Sequence, residues 1–105
     1  MKKAFIKVAV KEPGHYIHLE HIENTLEAFQ RLVGGNIETI TINTDCVIIC
    51  NDEGLLSNLP YNCRTFGADF YGTIVLCGVD GDNFSDLGLT NRQLKLLFPM
   101  WFVQK

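Results

Sequence analysis

Between residues 4 and 10 the chain alternates, with Ala4, Ile6, Val8 and Val10 on one side and Phe5, Lys7 and Ala9 on the other. A period of two is that of a strand, whose successive side chains leave opposite faces. Glu12-Pro13-Gly14 is turn chemistry, and alternation resumes from His15 to Leu19, so the two segments predict a hairpin. The period then changes. Leu26, Phe29, Leu32 and Val33 recur at helical spacing, Asn24 with Glu27 reads as a capping-box-like N-terminus, Glu27 and Arg31 share the outer face, and Gly34-Gly35 ends the helix. Ile37 to Ile42 alternates again, Asn43-Thr44-Asp45 turns the chain, and the unbroken apolar run Val47 to Cys50 predicts a strand in the sheet interior. Asn51-Asp52-Glu53-Gly54 is a further tight turn in which Gly54 is free to take positive φ.

From Leu55 to Tyr71 no period is visible, and a loop of that length in a small domain is a place to look for function. Thr73 to Val79 is the last strand, and Thr90 with Gln93 caps a second helix carrying Leu94, Leu97 and Phe98 before Pro99 stops it. The expected fold class is therefore α+β: one domain over residues 1–105, ordered β-β-α-β-β-β-α, with an antiparallel or mixed sheet and both helices on one face. The apolar tail Met100-Trp101-Phe102-Val103 belongs to no element. It closes the core or docks on a neighbouring subunit, and with so small a core a homo-oligomer with Trp101 and Phe102 at its interface is expected.

Composition narrows the partners. A formal charge of −3 without any run of Lys or Arg lacks the electrostatic footprint of a protein that binds nucleic acid polymers. The twelve acidic residues are scattered and make no DNA-like stripe. Lys7, Lys11 and Glu12 interrupt the apolar run that export requires, and no stretch approaches the ~20 apolar residues that span a bilayer, so the expected location is the cytoplasm, with no membrane partner. In that compartment the four cysteines are expected as free thiols.

Metal and catalytic constellations are weak. His15 and His18 point to opposite faces of the strand inferred for them, and Cys46 and Cys50 would lie ~13 Å apart along theirs, so neither pair holds one ion. Asp80, Asp82 and Asp86 imitate a calcium loop, but Phe84 stands at a ligand position and no Glu closes the site. No nucleophile elbow, phosphate loop or zinc-protease motif is present, so no cofactor and no catalytic residue is expected. The residues that do gather lie at the last turn and in the loop: Asn51, Asn58, Tyr61, Asn62, Arg64, Phe66 and Tyr71. Aromatic faces, amides and a guanidinium together suit a small ligand that carries a ring and a phosphate. The same aromatics, with Phe70, could equally anchor the loop to the core.

Three stretches carry a family resemblance: Asn24 to Glu38 with its Val-Gly-Gly-x-Ile-Glu block, Cys50 to Gly54 with Leu59-Pro60-Tyr61-Asn62, and Gly72-Thr73 with Gly78 to Phe84. They resemble the family called domain of unknown function 3846, small proteins of bacteriophages, mobile elements and gut bacteria. The resemblance implies no activity and transfers no site residue. By analogy with other small phage proteins, it raises the expectation of a non-catalytic anti-defence factor of the bacterial host's cytoplasm that sequesters a signalling nucleotide, cyclic or of ADP-ribose type. The rival expectation is an interaction module that inhibits a host defence enzyme through an apolar surface. A nucleotide-cleaving enzyme using His15, His18 or His21 with Glu20 is the least favoured.

Overall fold

The computed structural model describes residues 4–97. Eight strands and two helices follow one another as β1 (Phe5–Lys11), β2 (His18–Glu23), α1 (Leu26–Val33), β3 (Ile37–Asn43), β4 (Cys46–Asn51), β5 (Tyr61–Thr65), β6 (Ala68–Tyr71), β7 (Ile74–Asp80), β8 (Asn83–Ser85) and α2 (Asn91–Leu97). The main sheet runs β2-β1-β7-β4-β3, every pair antiparallel, and β8 joins β7. The α+β class and the antiparallel sheet stand as expected. The expected tail contact at Trp101 and Phe102, and the stop at Phe98-Pro99, lie outside the described residues.

The centre of the sheet, β1, β4 and β7, is buried on both faces. From β1, Ile6, Val8 and Val10 join Val47, Ile49, Val75 and Cys77 under Phe29 and Val33 of α1. From the opposite face Ala9, Cys46, Ile48, Cys50, Ile74 and Leu76 pack with Phe70 of β6, Leu87, and Leu94 of α2. The helices therefore lie on opposite faces, which corrects the expectation of one. The reason was present in β4, where all six residues are buried. An uninterrupted apolar run needs cover on both sides, and one helical layer supplies only one.

Local corrections have local causes. The N-cap of α1 is Thr25, whose Oγ1 accepts from the Ala28 amide at 3.1 Å. Asn24 is buried instead, its Nδ2 donating to the Phe84 carbonyl at 3.0 Å, which ties the start of α1 to β8. Leu26 is exposed, so the buried face of α1 begins at Ala28. His15 belongs to the turn, and β2 starts only at His18. Gly54 has no positive φ; it is required because a Cβ there would lie 2.9 Å from the Tyr71 carbonyl oxygen. Gly34, by contrast, ends α1 at φ 82 as a helix-terminating glycine should, and Thr90 with Gln93 forms the expected reciprocal cap of α2.

The largest revision concerns the stretch from Leu55 to Tyr71. Its second half is a hairpin, β5 against β6, forming a separate two-stranded sheet over the face that α1 leaves uncovered. Its two-residue turn is Phe66-Gly67, with φ 51 and 75. Positive φ at both central residues is what a type I′ turn demands, and Asn-Gly is the sequence that supplies it most easily. Phe at the first position leaves this turn without its usual sequence signal.

Candidate functional site: the hairpin and the cleft at its tip

The structure divides the seven residues expected to form one site. Asn51 and Asn62 are buried and committed to the fold. Asn51 donates to the Val33 carbonyl at 3.2 Å and accepts from the Glu53 amide at 2.8 Å. Asn62 donates to the carbonyls of Lys11 and Gly72, both at 2.8 Å, and accepts from the Lys11 ammonium at 3.0 Å. One amide thus ties β5 to β1 and to the entrance of β7. Asn58 is an exposed turn residue at φ 58, a conformation that Asn tolerates better than most residues.

Tyr61, Arg64 and Tyr71 do come together, on the outer face of the hairpin. Arg64 lies directly across from Asp69 and its Nη1 donates to that carboxylate at 2.9 Å. The Tyr61 hydroxyl donates to the other carboxylate oxygen at 3.0 Å, and the rings of Tyr61 and Tyr71 meet edge to face at 5.4 Å. Asp69 is the hub, and it was not among the expected residues. Desolvation first, and then the hydrogen bond and charge of Asp69, raise the Tyr61 phenol above its ordinary value.

Phe66 lies at the tip of the hairpin. The residue is 54% exposed and borders a cleft of about 460 Å³ walled by Ile42, Cys46, Leu87 and Leu89, with Asn43 and Asp45 supplying polar groups. That volume is in the range of small-ligand sites. A second cleft, about 330 Å³ beside Ile40, Leu55 and Tyr71, is lined by Glu38, Asp52 and Asp69. Three carboxylates make it a poor seat for a phosphate. Neither Asn43 nor Asp45 was singled out in the sequence, where both read as turn residues only.

Several other titratable groups are occupied in other ways. The Cys46 and Cys50 thiols are pushed up to about 11 and Cys77 to about 12, in each case first by burial. Groups held this firmly as thiols are unsuited to nucleophilic attack. His18 pairs with Glu20 at 2.7 Å on the exposed surface, and the His15 ring contacts the Pro13 carbonyl. Asp86 of the calcium-like stretch accepts from the Lys7 amide. Among the described residues no three His, Cys, Asp or Glu side chains are grouped to hold a metal ion, and no helix is long and apolar enough to cross a membrane.

Comparison with the curated proteins and with the solved structures finds no match to this chain. The family model described as domain of unknown function DUF3846 matches residues 6–101, and the chain belongs to that family.

Proposed function

We propose that this protein is a non-catalytic binding protein that holds a planar, ring-bearing small molecule, of the nucleotide class, in the cleft beneath Phe66. One observation carries the reading: a bulky aromatic occupies a left-handed turn position next to an apolar cleft of ligand size. A non-glycine residue there costs on the order of 1–3 kcal/mol, and such strain collects where the side chain is needed for a task. A base could stack on the Phe66 ring, while the Asp45 carboxylate accepts from ring N–H groups. The Arg64 guanidinium, two residues from Phe66 and largely exposed, is the cation that the hairpin carries, and a phosphate would compete with Asp69 for it. In a bacteriophage or mobile element, the setting the family resemblance implies, the consequence would be removal of a signalling nucleotide from the cytoplasm of a defended host.

The test separates ring from fold. Phe66→Asn installs the preferred Asn-Gly turn, so the variant should be as stable as the parent or more so while losing the ring. Isothermal titration with cyclic nucleotides and ADP-ribose, together with native mass spectrometry of the purified protein, should show binding by the parent and at least a tenfold loss in Phe66→Asn. Equal binding by the two proteins would reject the cleft.

A second reading rests on Leu55 and Leu56, consecutive leucines 64% and 84% exposed in the turn before β5. Adjacent exposed leucines fit a protein partner, such as a host defence enzyme inhibited by contact. Leu56→Glu should abolish inhibition of such an enzyme and leave nucleotide titrations unchanged.

A further inference from the structure

Among the described residues the main sheet ends on two edges, β2 and β3, and they differ in what they offer to a neighbouring strand. The Asp52 amide donates to the Asn36 carbonyl at 3.0 Å, just beyond the β3–β4 ladder. In an antiparallel pair the residues that face a neighbour alternate, so Asn36, Glu38 and Ile40 turn their backbone groups toward β4. Ile37, Thr39 and Thr41 turn theirs outward, and among the described residues no strand pairs with them. We propose that this edge pairs with β3 of a second copy of the chain, joining two sheets across a twofold axis at Ile40.

The sequence of β3 is complementary to itself in that register. Thr39 meets Thr41 of the partner copy and the two exchange both backbone hydrogen bonds, while Ile40 meets its own counterpart. Glu38 falls opposite Ile42, and the two Glu38 carboxylates stay roughly 14 Å apart along the strand direction. No like charges oppose each other. The β2 edge behaves otherwise. The Asn24 amide donates to the Ala4 carbonyl, so Leu19, His21 and Glu23 face outward there. A twofold at Glu20 opposes two carboxylates, and one at His21 opposes two imidazoles. β2 carries His18, Glu20, His21 and Glu23 among its six residues, whereas β3 has neither Lys nor Pro and only one charged residue in seven.

Apolar surface adjoins the open edge: Ile42 lines the Phe66 cleft, and Ile40 lines the cleft beside Leu55. A strand contact about 23 Å long with such flanks is at the small end of specific interfaces, below roughly 1,200 Å² in total. The dimer should therefore be concentration-dependent. This inference does not depend on the ligand of the Phe66 cleft.

Sedimentation across the micromolar range tests it, read beside hydrogen exchange of the Ile37, Thr39 and Thr41 amides. The expected result is a monomer–dimer equilibrium in which those three amides gain protection as the protein is concentrated. Thr39→Pro removes an outward donor, and Thr41→Lys places a charge on the edge; each should raise the dissociation constant at least tenfold with the circular dichroism of the parent retained. Two variants guard against the strain that a proline can bring. A monomer at all concentrations would overturn the proposal, and so would a dimer that ignores both substitutions. Protection of the three amides that is independent of concentration would overturn it too, since it would mean that the chain covers its own edge.

Discussion

Asn62 and Arg64 both looked like ligand-binding groups, and their surroundings now assign them opposite weights. Asn62 is buried, with three hydrogen bonds into β1 and the β6–β7 junction. Asn62→Ala leaves two buried carbonyls without that donor, and at about 1–3 kcal/mol for each unsatisfied group the expected loss is about 3 kcal/mol in urea denaturation. Arg64 and Asp69 form an exposed pair, which water screens, so Arg64→Ala should cost less than about 1 kcal/mol. Nothing in the residue types separates the two cases. An amide that reads a ligand and an amide that ties down a strand are the same group in a sequence, and only burial tells them apart. The thiols make a further residue-scale prediction. Folding raises Cys46, Cys50 and Cys77 from an ordinary 9.0 to about 11, 11 and 12. Above pH 9 the unfolded chain has released protons that the folded chain still binds, so their contribution to stability is intact below pH 9 and declines as the pH rises towards 11 to 12. Denaturation midpoints should be flat from pH 7 to about 8.5 and fall beyond it, and alkylation of the three thiols at pH 8 should be slow in the native protein.

At the scale of elements, what could be read from the sequence followed the strength of its periodicity. β1, β3, β4, β7 and α1 carry clean patterns that place them within a few residues, and the cap of α2 does the same for it. The β5–β6 hairpin is not legible because Phe66-Gly67 replaces the usual turn pair, and because Asn62 and Cys63 fall where a register irregularity breaks the alternation. β8 is not legible because three residues hold no period. It exists through its neighbours: Asn24 bonds to Phe84, the Leu87 amide donates to the Lys7 carbonyl at 2.8 Å, and the Phe84 ring meets Phe29 at 5.0 Å. Gly78 is the condition for this arrangement, since a Cβ on it would collide with the carbonyl oxygen of Asp86. Gly78→Ala must push β8 off β7, and overpacking of this kind costs about 1–3 kcal/mol. Gly81→Ala nearby meets no atom, though its positive φ brings a strain of its own. The two variants differ in where the damage appears: amides of β8 and Leu87 should lose exchange protection in Gly78→Ala and keep it in Gly81→Ala.

For the whole molecule, the sheet lying between two apolar layers decides how it unfolds. α1 covers one face with Phe29 and Val33, while the other is covered by Phe70, Leu87 and Leu94, which come from the hairpin, the β8–α2 connection and α2. Neither layer is a unit of its own, because β1, β4 and β7 each contribute alternate residues to both. Val47 and Ile48 are neighbours in the chain and belong to opposite cores. Losing one layer strips water-excluding cover from strands on which the other layer depends, so the two should melt together. Phe29→Ala and Leu94→Ala remove one large buried side chain from each face and should cost about 3–5 and 2–5 kcal/mol respectively. Both variants should still unfold in one transition, with far-ultraviolet and near-ultraviolet circular dichroism superimposing at every urea concentration. A Leu94→Ala protein that loses its near-ultraviolet signal first, with the exchange protection of α1 intact, would show that the outer layer folds onto an independently stable core. Cooperativity would then belong to the α1 face alone.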